Sequence, residues 1–294
     1  MVPALLDLIL PPRCAGCGVW GAVACPSCLV KLLGEPAPRP PDPAPPGLPD
    51  CWSATAYEGA ARRMILACKE RGRTALVPAL AACVATCVAA WQTEAEAEGE
   101  RAARPAGAAL SGAALSGAGL SGGGRGGDGA GGDRAGEGEA AVTWLVPVPS
   151  ARAAVRRRGH DPVRAVATAA VRELRGLGRA AVLAPLLRQR RRVADQAGLG
   201  SLERAANLSG AFEVGHRALG ALRPPHSGTG RAVGFRVVLV DDVVTTGATL
   251  AEAARALRAA GVTPSAAVTI AATPRRVPYV ATRRKHHIRD NHGW

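Results

Sequence analysis

The chain has 294 residues, 48 % hydrophobic but only 3 % aromatic, which predicts one or two globular domains with a core of aliphatic side chains. Its 37 basic residues exceed its 23 acidic residues and give a formal net charge of +14. The surplus is almost all arginine. This excess of arginine either favours an anionic ligand or reflects a biased base composition. There is no uninterrupted apolar run of about eighteen residues and no basic n-region, so we expect a cytoplasmic protein without a membrane span or signal peptide.

Four cysteines near the N-terminus form two C-x-x-C pairs. They are Cys14, Cys17, Cys25 and Cys28. Two such pairs can supply four thiolates to a tetrahedral zinc ion, and so short a segment holds too small a core to fold unaided. We therefore predict a structural, zinc-ribbon-like module at residues 1–35. Redox-active dithiols are the alternative, although no thioredoxin-like βαβ pattern surrounds either pair.

The next part of the chain combines a linker, two helices and an insertion. Residues 36–50 are proline-rich and predict a semi-rigid linker. Apolar residues at helical spacing predict two helices between Tyr57 and Trp91. Residues 93–140 become acidic and then rich in glycine and alanine, a composition that buries too little apolar surface to fold, so we predict a disordered insertion. The remaining cysteines, Cys51, Cys68, Cys83 and Cys87, are expected to be buried and free.

After the insertion, predicted strands alternate with predicted helices. The strands are Val142–Val146, Ala181–Leu187, Arg236–Val240 and Ala266–Ala271, and the helices are Pro162–Leu174 and Ala248–Ala259. This alternation predicts an α/β fold with a parallel sheet flanked by helices. The continuous apolar run at 237–240 is typical of a strand that is buried on both faces. We place this domain at residues 51–92 and 141–274.

The most specific motif is VVLVDDVVTTGATL, residues 237–250. Asp241 and Asp242 follow a predicted buried strand, and the next polar turn opens a helix whose free amides favour an anion. The turn consists of Thr245, Thr246, Gly247, Ala248 and Thr249. Two adjacent carboxylates would repel a bare phosphate, so they require a ligand with hydroxyls or a nearby metal. A ribose 5-phosphate meets both demands, and a plain strand-turn-helix connection is the alternative.

This motif resembles the site for 5-phosphoribosyl-1-pyrophosphate (PRPP) in type I phosphoribosyltransferases. The resemblance implies that the two carboxylates bind the ribose hydroxyls near a Mg²⁺ ion held by pyrophosphate, while the turn binds the 5′-phosphate. The cysteine pairs, Lys69 and the segments VPVPSARAAVRRRGHD from 146 and RRVADQAGLGSLERAANLSGAF from 191 extend the resemblance to the ComF family of competence-associated proteins. That family usually has R-G-F-N-Q where this chain has RGHDP, which leaves the roles of His160 and Asp161 open.

The ComF resemblance also implies further parts of the site. Val148, Pro149 and Ser150 would form the pyrophosphate turn. Residues 188–196 would be a mobile loop whose Arg190 and Arg191 neutralise the leaving group, although a solvated basic loop is the alternative.

The implied function is phosphoribosyl transfer from PRPP to a nitrogen acceptor. The alternatives are a DNA-uptake accessory that binds single-stranded DNA with a competence helicase, and a non-catalytic PRPP sensor. Residues 275–294 are expected to be a solvated basic tail.

Overall fold

The computed structural model describes residues 11–103, 141–190, 208–215, 220 and 234–274. Residues 1–10 of the predicted zinc module, residues 104–140 of the insertion predicted at 93–140, most of the predicted mobile loop and the basic tail lie outside these residues.

Within the described residues, the centre of the molecule is a six-stranded sheet with the order β1-β2-β8-β7-β3-β4. All neighbours run parallel except β1 and β2, which are antiparallel. Its strands are β1 (Ala37–Pro38), β2 (Cys51–Ala56), β3 (Val142–Pro147), β4 (Ala181–Leu183), β7 (Phe235–Val244) and β8 (Ala266–Ala272). A separate antiparallel ribbon pairs β5 (Leu187–Gln189) with β6 (Phe212–Val214).

Helices cover both faces of the sheet. They are α1 (Pro26–Leu33), α2 (Gly59–Arg71), α3 (Val77–Ala103), α4 (Arg152–Arg158), α5 (Pro162–Gly176) and α6 (Ala248–Ala259). On the central strand β7, Val238 and Val240 belong to the core shared with α3 and α5, whereas Val237 and Leu239 belong to the core shared with α6. This confirms the predicted parallel sheet and its strand buried on both faces.

The strand predicted at Ala181–Leu187 is wrong in its second half. The strand of the main sheet ends at Leu183, and residues 187–189 pair with β6 instead. Pro185 lies at the bend between them and has no amide hydrogen to continue the ladder. The chain therefore leaves the sheet here.

Helix α3 and the proline-rich segment both depart from the predicted boundaries. The helix continues past residue 92 to Ala103, because its alanines and glutamates are strong helix formers and Glu96 pairs with Arg179 at 3.8 Å. The proline-rich segment contains β1, and its Gly47 carbonyl accepts a hydrogen bond from Arg258 at 2.6 Å. The segment predicted as a linker is therefore packed against the domain.

Among the described helices, the segment Thr74–Gly99 is long and apolar enough to cross a membrane, with a mean hydropathy of 1.9 in its most apolar window. Half of that window is buried inside the fold, where α3 packs against α5 and the sheet. A core helix of an α/β domain has the same length and composition, so this helix is weak evidence for a span.

Candidate functional site

The acidic pair lies within the central strand near its carboxyl end. β7 continues to Val244, beyond the predicted end at Val240, because Val243 and Val244 still pair with β8. Asp242 is buried and Asp241 is half-buried. The sheet, rather than a free loop, therefore fixes the position of both carboxylates.

A short turn connects β7 to α6 at the same end of the sheet. Thr246 Oγ1 lies 3.5 Å from the amide of Ala248, where α6 begins. The amides of a helix's first turn have no partner within the helix, and the helix dipole favours an anion there. Thr245 and Thr249 line the adjoining cleft. The turn therefore places two threonines in the lining of the cleft, next to the first turn of α6.

Gly247 is required in this turn by its backbone conformation and by its close neighbours. Its φ of 74° lies in the left-handed region that favours glycine. A Cβ atom at Gly247 would lie 2.9 Å from both Leu48 Cδ2 and Pro41 Cγ. The proline-rich segment therefore fills the space that a larger side chain would need.

A cleft of about 510 Å³ joins segments that are distant in sequence. The turn between β3 and α4 lines it with Val148, Pro149 and Ser150, and Asp241 and Asp242 line it as well. The β5–β6 ribbon contributes Gln189 and Phe212. The volume is in the range of small-molecule sites, and the predicted phosphate and pyrophosphate segments share it.

Two contacts support the β3–α4 turn. The amide of Val148 donates to the carbonyl of Val240 at 2.9 Å, and Ser150 Oγ donates to Asp161 Oδ1 at 3.0 Å. Asp161 also caps α5, since its side chain accepts from the Arg164 amide. The role of Asp161, which the sequence left open, is therefore at least to support the β3–α4 turn and to cap α5. His160 Nε2 is buried and has no hydrogen-bond partner in the part of the chain described here.

Lys69 is a residue of the cleft to which the sequence gave no role. Its Nζ lies 2.6 Å from Asp242 Oδ2, and it also lines the cleft. Arg158, whose side chain is only 8 % exposed, donates to the Lys69 carbonyl at 2.7 Å and so holds the last turn of α2. Neither contact has a local sequence signal, because the partners lie on distant segments.

The electrostatics of the acidic pair are set by burial and by Lys69. Burial and the Asp242 carboxylate raise the pKa of Asp241 to about 8, although Lys69 and the Asp242 amide oppose this. Burial alone would lower the pKa of Lys69, but the carboxylates of Asp242 and Asp241 outweigh it and raise that pKa. Burial therefore favours the neutral form of Asp241, whereas Asp242 is held in an ion pair with Lys69.

Asp241→Asn is expected to make stability less dependent on pH. The folded protein binds a proton on Asp241 up to about pH 8, whereas the unfolded chain releases it near pH ~4. The stabilising contribution is therefore complete below about pH 4 and is lost as the pH rises to about 8. The variant should gain melting temperature relative to wild type on going from pH 5 to pH 8. An equal difference in melting temperature between variant and wild type at the two pH values would contradict this prediction. Asp50→Asn, at an exposed residue, is the control.

Of the two arginines predicted in the mobile loop, only Arg190 is among the described residues. Arg190 follows β5, its amide donates to the Ala211 carbonyl at 2.8 Å, and its side chain is 68 % exposed with Glu213 at 4.0 Å. It is not among the described residues that line the cleft. Arg191 lies outside the described residues. A place for Arg190 and Arg191 next to the acidic pair therefore stays a prediction.

The four N-terminal cysteines converge on one point. Their Sγ atoms all lie within 4.8 Å of one another, and those of Cys17 and Cys25 are 3.6 Å apart. Tetrahedral Zn–S bonds of about 2.3 Å place sulfurs roughly 3.8 Å apart, so the cluster fits a zinc ion. Burial would raise the pKa of Cys14, but amide donors from Cys25, Cys17 and Gly16 outweigh it and lower the pKa to about 6. The remaining cysteines are buried and free, as predicted.

The cysteine module packs directly on α2. The Arg63 side chain donates to the Gly16 carbonyl, and Arg73 donates to the Arg13 carbonyl at 2.6 Å. A Cβ atom at Gly16 would lie 2.6 Å from Cys28 Sγ, so this position cannot accept a larger residue without a shift. The module and the helix that carries Lys69 thus share an interface.

Comparison with known proteins agrees with this geometry. Residues 175–286 match the family model of the phosphoribosyl transferase domain, a stretch that contains the acidic pair and the whole phosphate turn. No curated protein matches the chain. Together with the sheet and the cleft, this match over less than half of the chain supports a type I phosphoribosyltransferase-like, PRPP-binding protein. Its N-terminal four-cysteine cluster can form a zinc module.

Proposed function

We propose that the protein is an enzyme that transfers a phosphoribosyl group from PRPP to a nitrogen acceptor. The observation that carries the proposal is that the acidic pair, Thr245 and Thr249 of the phosphate turn, and the β3–α4 turn line one cleft. An anion site, a hydroxyl-binding site and a second turn correspond to the three parts of PRPP.

Each part of the cleft has a proposed role in binding. The backbone amides of Thr246, Gly247 and Ala248, with the hydroxyls of Thr245 and Thr249, bind the 5′-phosphate. The carboxylates of Asp241 and Asp242 accept the ribose hydroxyls. The turn formed by Val148, Pro149 and Ser150 binds the pyrophosphate.

A magnesium ion fits the same donor set. Carboxylate oxygens are the ligands that Mg²⁺ takes in proteins, usually together with substrate phosphates. Asp242 Oδ2 is buried and, apart from its ion pair with Lys69, has no hydrogen bond in the described structure. We propose that Asp242 would help to hold a Mg²⁺ ion bound to the pyrophosphate, and that the ion would offset part of the pyrophosphate charge.

The proposed reaction exchanges one bond at the anomeric carbon. The C1–O bond to pyrophosphate breaks, and pyrophosphate leaves with the electron pair. The acceptor nitrogen bonds to C1 and gives up its proton to the departing anion or to water. The negative charge of Asp242 stabilises the developing positive charge on the sugar. Gln189 and Phe212 would exclude water, and Arg190 and Arg191 would reach the leaving group when the loop closes.

Titration of the purified protein with PRPP, with and without Mg²⁺, tests this proposal by calorimetry. We expect Mg²⁺-dependent binding, and pyrophosphate release when a mixture of nitrogen nucleophiles is added. Binding without release across a broad acceptor screen would identify a PRPP sensor instead. Absence of any PRPP binding would remove the proposal.

We further propose that the protein is of the ComF type and works in the cytoplasm. The support is the combination of a four-cysteine module, Lys69 and the PRPP motif in one order along the chain. A second candidate activity is binding of single-stranded DNA by the cysteine module, where the half-exposed Trp20 lies 3.8 Å from the Arg13 guanidinium. Filter binding at two salt concentrations tests it, and no retention even at low salt would end it.

A further inference from the structure

We infer that Lys69 exchanges partners during ligand binding: it pairs with Asp242 in the empty cleft and moves its ammonium group to the pyrophosphate of bound PRPP. This inference rests on the proposed function and adds the residue that recognises the leaving group. It makes Lys69 a substrate-binding residue and its pair with Asp242 a contact that PRPP displaces.

The position of Lys69 allows this movement. Its ammonium nitrogen is 2.6 Å from Asp242 Oδ2, while 37 % of its side chain is exposed. It lines the same cleft as Ser150 of the β3–α4 turn. A lysine ammonium is a compact charge on a flexible four-carbon stem, so it can change partners without moving the helix.

The pair also occupies an oxygen that the ligand needs. Asp242 Oδ2 is buried and has only Lys69 as a partner among the described residues. A ribose hydroxyl or a ligand-borne cation can use this oxygen fully once the ammonium has moved. The anionic pyrophosphate, in turn, needs a cation to offset the repulsion from the adjacent carboxylates.

Contacts around Arg158 indicate which phosphate Lys69 meets. Arg158 ends α4, the helix that follows the β3–α4 turn, and its guanidinium donates to the Lys69 carbonyl at 2.7 Å. The last turn of α2 is thereby attached to the side of the cleft proposed for pyrophosphate. The 5′-phosphate has its own donors in the first turn of α6, so Lys69 is assigned to the pyrophosphate.

The variant Lys69→Met tests the inference through ligand selectivity. PRPP, inorganic pyrophosphate and ribose 5-phosphate are titrated by calorimetry into the wild type and the variant. We expect at least about a tenfold loss of affinity for PRPP and pyrophosphate, with affinity for ribose 5-phosphate within about twofold of wild type. Lys31→Met is the matched control, because Lys31 is exposed on α1 away from the cleft.

The outcomes separate this inference from the proposed function. An equal loss for all three ligands would show that Lys69 only supports the structure and would overturn the inference, as would unchanged affinities. A wild type that binds none of the ligands would remove the proposed function itself.

NMR of the wild-type protein tests the contact of Lys69 with pyrophosphate even if Lys69→Met does not fold. The chain has only three lysines, Lys31, Lys69 and Lys285. Reductive ¹³C-methylation keeps their charge and gives one NMR signal for each, and Lys69→Arg identifies the signal of Lys69. We expect this signal to shift with pyrophosphate and to stay in place with ribose 5-phosphate. The same response to both ligands, or to neither, would overturn the inference.

Discussion

Asp242→Asn is expected to weaken Mg²⁺-dependent PRPP binding by about 10- to 100-fold, because a buried charged acceptor contributes more to a hydrogen bond than a neutral one. The amide keeps the shape of the side chain but removes the charge that pairs with Lys69 at 2.6 Å. Calorimetric titration measures the loss. The fold should persist, since the sheet ladder around Asp242 is made by backbone groups.

The pattern across ligands distinguishes Asp242 from Lys69. Because Asp242 is proposed to bind the ribose, Asp242→Asn should lower the affinity for ribose 5-phosphate as well as the affinity for PRPP. Asp50→Asn, at an exposed residue before β2, should leave both affinities unchanged. Retention of wild-type affinity in Asp242→Asn would contradict the proposed ribose contact.

Loss of zinc is expected to unfold the cysteine module while the main sheet remains folded. Helix α1 has eight residues, and its buried residues are Cys28 and Leu32, so it is too short to be stable alone. We expect one zinc per chain by metal analysis, and at least about a 100-fold lower zinc affinity in Cys14→Ser. Hydrogen exchange should rise over residues 13–33 on chelation.

A second cysteine variant serves as the zinc control. Cys51 is buried outside the cluster, so Cys51→Ala should retain the full zinc content. A purified protein without zinc whose cysteine pairs form disulfides would instead support the redox alternative. Unchanged zinc affinity in Cys14→Ser would show that the thiol cluster is not the zinc site.

Local sequence signals predicted four of the six described strands of the main sheet, β3, β4, β7 and β8, but not β1 or β2. The apolar run at 237–240 predicts a strand buried on both faces, and each of its residues is at most 1 % exposed. The start of α6 at Ala248 also agrees with the prediction, because the glycine before it is a strong local signal. Spacing alone grouped the four cysteines correctly.

Long-range contacts account for what the sequence did not predict. Three contacts join segments that are distant in sequence. They are the ion pair of Lys69 with Asp242, the hydrogen bond from Ser150 to Asp161, and the packing of Pro41 against Gly247. The ribbon that starts at Leu187 was merged with a strand of the main sheet, because an apolar run does not show which partner it pairs with. Arg190 and Arg191 stay predictions for a closed state.

The described residues on either side of positions 104–140 lie at the edge of the sheet that faces away from the chemistry. Gln92 and Glu96 of α3 contact Thr143 and Arg236, which lie at the amino ends of β3 and β7, whereas the cleft lies at the carboxyl ends. Residue 141, where the described chain resumes, directly precedes β3. The length of chain between α3 and β3 can therefore change over evolution while substrate recognition is untouched.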